Sequence, residues 1–417
     1  MLFGSLEISA QDLVSSSDPA LSSSIGLGAG SPLVVGQGQL DIHEKLSFQE
    51  GGLSVADTVL WWQGADGGTL QNDLSQAYVS VTATPDLTMV IGKQRLSWGT
   101  GYAFFPGDRI NPPVSPQNRS EGFYGLTANL APSSSFSLSA SVRVDTVFAD
   151  AAVLPGLASP TSPSAALTLP VLLSSLPAPL TPAWLGLRYA LYAEAFLGTL
   201  DLHAGATWEW RRVLRPTFDF SLDFLGFIFD GAVAVELADS DLYPDASGRY
   251  SSPGFGKPFP IATVGIQRAE SADNASLAVT LEYLYDSTGY DPAQESRFLN
   301  DLFLALTPGG PAQTATFLSS SGTGAWFSSG EVIPALGQHY GALTVSGSIT
   351  NVLSASTDLA MNLQDLSLAL QAELRFTRLE GIDLFSRVLW AGGPDNHTEF
   401  GSSPVQLAVS AGATVHF

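Results

Sequence analysis

The chain has 417 residues, with 17 basic against 39 acidic side chains and a formal net charge of −22. Only 13% of residues are charged while 45% are hydrophobic, which is too apolar for a disordered chain and poor in charge for a soluble domain. The acidic surplus excludes a basic phosphate-binding face, so no nucleic-acid partner is expected, and the absence of cysteine excludes disulfides, thiolate metal sites and a cysteine nucleophile.

The N-terminal run MLFGSLEISAQDL has no basic region followed by an apolar stretch. No signal peptide is therefore read: the chain is either not exported or is a mature form. Period-two alternation then sets the pattern, with strands expected near 2–12, 38–49, 53–62, 74–83 and 87–97.

The next segment, 98–120, is expected to be a long loop. It continues the run Gly92-Lys-Gln-Arg-Leu-Ser-Trp-Gly-Thr-Gly-Tyr-Ala-Phe-Phe-Pro-Gly-Asp-Arg-Ile-Asn-Pro112. Gly92, Gln94, Trp98, Gly99, Pro106, Asp108, Asn111 and Pro112 resemble the G-x-Q-x-x-x-W-G…P-x-D-x-x-N-P motif of a family of porin-like outer-membrane barrels. Asn362-Leu-Gln-Asp-Leu-Ser367 resembles that family's N-L-x-D-x-S element. The resemblance implies a channel and names no solute. By analogy with general porins, loop 98–120 folds into the lumen as a constriction. Gly99 and Gly101 permit an inward bend, Trp98, Tyr102, Phe104 and Phe105 wedge against the wall, Asp108 and Arg109 present opposite charges, and Pro106, Pro112 and Pro113 stiffen the return. The alternative is a loop whose Trp and Asn only brace the barrel.

Further strands are expected near 121–131, 135–147, 183–196, 199–213, 216–225, 229–239, 259–269, 276–286, 338–350, 355–362, 366–377, 381–391 and 404–417. Loop 148–182 is almost all Ala, Leu, Pro, Ser and Val, and its prolines exclude a spanning helix. Loop 287–337 holds a helix over 291–307, with Asp291 as N-cap and Pro292 at the first position. Phe298, Leu299, Leu302, Phe303 and Leu306 form its apolar face. These two apolar loops form a lid, plug the pore, or bind an apolar ligand as the long-chain fatty-acid channel family does.

Strands of about ten residues suit a tilted crossing of a bilayer. The last one ends on Phe417, which resembles the C-terminal insertion signature of bacterial outer-membrane barrels and implies the barrel-assembly machinery as a partner. The expected fold is all-β: one domain over 1–417, an antiparallel up-and-down transmembrane barrel of sixteen to eighteen strands, eighteen by the count above. Turns at 50–52, 84–86, 132–134, 197–198, 226–228, 270–275, 351–354 and 378–380 are short. On the other side 13–37, 63–73, 98–120, 148–182, 240–258 and 287–337 are longer, 392–403 is intermediate, and 214–215 and 363–365 are short. That asymmetry assigns the short side to the periplasm.

Read as lipid against lumen, the alternation lines the pore with Arg143, Asp145, Arg188, Glu194, Glu209, Arg211, Asp219, Asp223, Glu236, Glu282, Glu373, Arg375, Asp383 and Arg387, nine acids to five bases. The expectation is a mild cation preference, with Arg95, Arg143, Arg188 and Arg375 as a basic strip; solvated or cross-strand-paired charges are the alternative. Neither a G-x-S-x-G elbow nor H-E-x-x-H occurs. His203 faces the lumen near Asp201 and Glu209 without a nucleophile. No enzyme, cofactor or metal site is expected, and Asp239, Asp241 and Asp245 read as a solvated loop rather than a calcium site. The implied role is passive diffusion of small solutes or ions, in contact with outer-membrane lipid and lipopolysaccharide. The alternatives are uptake of apolar molecules, or a surface adhesin or structural barrel.

Overall fold

The computed structural model describes residues 14–17, 20–28, 34–48, 51–64, 67–96, 98–100, 103–104, 106, 110–111, 122–144, 187–209, 213–239, 243–244, 250–251, 254–272, 275–306, 336–379, 382–395, 398–401 and 407–416. β1 (Val14–Ser17) and β2 (Ala20–Gly28) both pair with β3 (Val34–Phe48). An antiparallel meander follows: β4 (Gly51–Gly64), β5 (Gly67–Thr84), β6 (Leu87–Gln94), β7 (Phe123–Ser133), β8 (Phe136–Arg143), β9 (Arg188–Leu197), β10 (Leu200–Glu209), β11 (Val213–Phe224) and β12 (Phe227–Asp239). A small hairpin of β13 (Tyr243–Pro244) and β14 (Tyr250–Ser251) stands apart. The meander resumes with β15 (Gly254–Ala272) and β16 (Ala275–Asp286), then helix α1 (Pro292–Leu306). It ends with β17 (His339–Thr350), β18 (Leu353–Asn362), β19 (Leu368–Leu379), β20 (Ile382–Gly392) and β21 (Leu407–His416).

β15 pairs with β12, and β21 pairs with both β20 and β2. The pairings therefore return to their start. β2–β12 and β15–β21, eleven and seven strands, form a ring of eighteen in which each strand has two antiparallel partners. Within this ring no strand is left as an edge, the condition for a sheet in lipid.

The ring inverts the burial rule of soluble proteins. On β11, Leu214 and Phe218 are exposed while Arg215 and Asp219 are buried; Phe218 is 46% exposed and Asp219 2%. On β16, Leu277, Leu281 and Tyr283 are exposed, while Thr280, Glu282 and Leu284 are buried. Apolar side chains cover the outside and polar ones crowd the inside, as in an outer-membrane barrel.

All eight short turns expected from the sequence lie at one end. There the ladders continue to the turn, as in Phe48↔Gly51, Leu197↔Leu200 and Leu379↔Ile382. Three expected loops at the other end are corrected, the shortest being 214–215, whose residues lie within β11. Residues 14–17 and 20–28, read as part of loop 13–37, are strand, so Gly26 and Gly28 lie in a ladder. Leu21, Ile25 and Leu27 do share a parity there, but serine and glycine between them erase the contrast. Loop 63–73 is also strand: β4 and β5 pair as far as Gly64↔Gly67. Its glycines and polar residues read as a turn, yet the backbone ladder runs on through them.

The segments 2–12 and 148–182, and the terminal Phe417, lie outside the described residues. Helix α1 forms where expected. Asp291 Oδ1 accepts the N–H groups of Ala293 and Gln294, both at 2.9 Å, and Gln294 Oε1 accepts the Asp291 N–H at 3.0 Å, a reciprocal cap. Phe298 and Leu299 are buried.

Candidate functional site

The segment after β6 runs into the barrel. Its departure depends on Gly92, whose φ is +130°; a Cβ there would lie 2.3 Å from the Ala77 carbonyl oxygen on β5. Asn111 closes the loop on itself. Its Oδ1 accepts the Leu96 N–H at 3.0 Å and its Nδ2 donates to the Leu96 carbonyl at 2.6 Å. Trp98 is buried and lies flat on Tyr192 of β9, with ring centroids 5.0 Å apart and planes 6° from parallel. Gly99, at φ +94°, donates its N–H to the Tyr192 hydroxyl at 3.0 Å. Thr100 donates to the Phe220 carbonyl of β11 at 3.1 Å, and the Ala103 N–H donates to Glu282 Oε2 on β16. Phe104 packs on a buried cluster of Ala234, Ile261, Leu284, Tyr340, Ala391 and Phe400.

From β6 to β16 is eight steps round the ring of eighteen, through β7–β12, β15 and β16. The loop thus crosses the interior almost to the opposite wall. Returning, Ile110 is fully buried, and its carbonyl accepts from Arg143 Nη1 at 3.0 Å.

Under this loop a cavity of about 450 Å³ opens among Trp98, Tyr192, Glu194, Asp201 and His203. Adjacent strands bring the polar groups together, since His203 of β10 stands opposite Glu194 on β9 and Asp219 on β11. His203 Nδ1 hydrogen-bonds to Asp219 Oδ1. Its Nε2 lies 2.9 Å from Asp201 Oδ1 and 3.3 Å from Glu194 Oε1.

A second polar knot ties the loops together. Asn362, fully buried at the end of β18, donates through Nδ2 to Glu295 Oε1 on α1 and to Glu399 Oε2 at 2.8 Å. The Tyr340 hydroxyl accepts the Gly337 N–H at 2.6 Å and donates to Glu399 Oε2 at 2.6 Å. Asp365 Oδ2 accepts the Glu399 N–H at 2.6 Å, and Ser367 Oγ accepts the Phe400 N–H at 3.2 Å. The element Asn362–Ser367 is therefore the hinge plate to which the helix and the 398–401 turn are bolted. Burial pushes the Glu295 carboxyl up to about 7, helped by the Asp365 charge. Burial likewise pushes Glu399 up to about 8, despite the hydrogen bonds from Tyr340 and the Leu336 N–H.

The residues expected from the sequence divide accordingly. Trp98, Gly99 and Asn111 brace the loop. Gly101, Asp108, Arg109, Pro112, Asp145 and Arg211, and the Glu209 side chain, lie outside the described residues. Arg143 and Arg188 stand opposite one another on β8 and β9, and Arg95 follows the end of β6. Arg375 is elsewhere, near the short-turn end of β19, where Glu373 accepts from Arg375 at 3.1 Å and from Arg387 at 2.7 Å. The expected basic strip is thus not continuous. Glu236 is paired with the buried Arg215 at 3.1 Å, and Asp223 is exposed near the short-turn end of β11. Calcium candidates Asp241 and Asp245 lie outside the described residues.

Sequence reasoning missed Tyr192, Arg215, Glu295, Tyr340 and Glu399. The parity of Tyr192 with Arg188 and Glu194 was the available signal for its inward position. For Arg215 the signal was its parity with Asp219, hidden by Pro216.

No family model and no curated protein matches the chain. Solved structures do. OccAB1 of Acinetobacter baumannii superposes with a TM-score of 0.52 at 10% identity, covering 98% of this chain and 97% of that one. OccK5 (OpdH) of Pseudomonas aeruginosa gives 0.50 at 8% identity over 97% and 98%. OccK2 (OpdF) of the same species, in complex with glucuronate, gives 0.50 at 10% over 98% and 98%. At these identities the likeness is one of fold.

Proposed function

We propose that this chain is a bacterial outer-membrane channel for passive diffusion of small solutes or ions, narrowed by the loop that follows β6. One observation carries the reading: the Ala103 N–H reaches Glu282 eight strands away, so the loop spans an interior ring of charged side chains. A brace confined to the wall beside β6 would not need that reach. The porin-barrel fold and the apolar exterior support the membrane location.

The channel prefers cations. Glu194, Asp201, Asp219, Asp230, Glu236 and Glu282 stand near the loop, against Arg95, Arg143, Arg188 and Arg215. A lumen dominated by one sign of charge concentrates the opposite ion. The OccK2 structure holds the anion glucuronate; the acidic surplus here supports the opposite choice. The test is the reversal potential of the purified protein in a planar bilayer under a potassium chloride gradient. A potential of the sign set by potassium is expected, and one set by chloride overturns the preference.

A further inference from the structure

The sequence suggested no metal site, yet the wall brings three ligand types together at Glu194, Asp201 and His203. His203 is the key. Its side chain is 7% exposed, and its Nε2 is a buried atom without a hydrogen-bond partner. Asp219 holds Nδ1 from behind, which favours the tautomer with the proton on Nδ1 and the Nε2 lone pair facing forward. In front of that lone pair stand Asp201 Oδ1 at 2.9 Å and Glu194 Oε1 at 3.3 Å. With Nε2 unprotonated neither contact has a proton to share, and Asp201 Oδ1 is buried with no other hydrogen-bond partner. In that tautomer three acceptors face one another in a low-dielectric wall, an arrangement that costs energy unless a proton or a metal ion lies between them.

Several features favour a metal ion over simple packing. The three donor atoms lie within 4.8 Å of one another. Donor separations of 2.9 and 3.3 Å suit a shared ion at about 2.0–2.2 Å from each. The second oxygen of Glu194 is held by the Ser137 hydroxyl at 2.9 Å, which leaves Oε1 aimed at His203. A carboxylate behind a coordinating imidazole is the usual second-shell arrangement in metal sites. The adjoining cavity of about 450 Å³ gives access and room for a water in the fourth position.

We propose that Glu194, Asp201 and His203 bind one divalent transition-metal ion of the zinc class, oriented by Asp219. One imidazole and two carboxylates suit zinc or manganese better than calcium, which takes six to eight oxygens. Because Asp219 also meets the Tyr192 hydroxyl at 3.4 Å, the ion sits one residue from the anchor of the crossing loop.

The experiment is equilibrium dialysis of the full chain in detergent against zinc chloride, with bound zinc measured by elemental analysis. The wild type is expected to hold one zinc per chain that excess magnesium does not displace. His203→Ala should lose it, and Asp219→Asn should weaken it by about 10–100-fold. If His203→Ala does not fold, Glu194→Gln, on a partly exposed residue, serves in its place with at least a tenfold loss expected. A wild type that binds no zinc overturns the proposal, and so does a His203→Ala or Glu194→Gln protein that binds as the wild type does.

Discussion

The indole of Trp98 lies parallel to the Tyr192 ring at 5.0 Å and buries the start of the crossing loop against strand β9. The stack joins a residue of the loop to one on the wall 94 positions later in the chain, and the Gly99 N–H adds a hydrogen bond to the same tyrosine. Stacked aromatic pairs contribute about 0.5–1.5 kcal/mol beyond their burial.

Replacing Trp98 by alanine removes both stack and burial, a loss of roughly 3–5 kcal/mol for a large buried aromatic. The loop should leave the lumen for part of the time. Single-channel recordings are expected to show a larger mean conductance with added current noise. Tyr192→Phe keeps the ring and should change conductance far less. Equal effects in the two variants would mean that the stack does not hold the loop.

Glu282 anchors the far end of the loop through the Ala103 N–H. Glu282→Ala leaves that donor without its acceptor, at a cost of about 1–3 kcal/mol, and removes one inward charge. Conductance should rise while the reversal potential moves towards the anion side. A variant with unchanged selectivity would show that this carboxylate does not see the permeating ions.

Gly92→Ala is expected to fail for backbone reasons. Its φ of +130° is one that L side chains rarely adopt, and the new methyl would meet the Ala77 carbonyl at 2.3 Å. The loss should exceed about 1 kcal/mol, measured as a lowered thermal midpoint in detergent. A midpoint equal to that of the wild type would mean that β5 and β6 can separate at this point.

The knot of Asn362, Glu295 and Glu399 predicts a pH dependence of the loops. Both carboxyls have raised values, about 7 and about 8 against the usual 4.5, chiefly through burial. Glu295 faces the charge of Asp365, while Glu399 faces Tyr340, the Leu336 N–H and Glu295. A raised carboxyl favours the packed state in its neutral form. The stabilisation is therefore full below about pH 4.5 and is lost as pH climbs through 7 and 8. Amide exchange on helix α1, corrected for intrinsic rate, should be slower at pH 5 than at pH 9. Asn362→Ala, which deprives both carboxyls of their shared donor, should raise exchange at pH 5. Protection that grows with pH would contradict this.

The sequence shows the barrel more clearly than it shows the site. In β16 each lipid-facing leucine or tyrosine alternates with Thr280 or Glu282, so parity alone separates outside from inside. β2 escapes because Ser22, Ser24, Gly26 and Gly28, which alternate with its apolar residues, are too small and neutral to contrast with Leu21 and Ile25. At the site, Trp98, Gly99 and Asn111 are legible because a local motif contains them. Their partners are not: Tyr192 and Glu282 come from strands 93 and 179 residues away from the groups they bind. Glu295 and Glu399 look like solvated surface acids until the fold places Asn362 between them, 67 and 37 residues away.

The reconstitution of the purified chain into a planar bilayer in potassium chloride reads the central claim without any variant. Discrete, ohmic current steps at low voltage are the predicted result, since the proposed channel is narrowed by its crossing loop and not closed by it. A protein that inserts in folded form and yet gives no steps at any voltage would mean that the interior is sealed, and that the loop is a plug rather than a constriction.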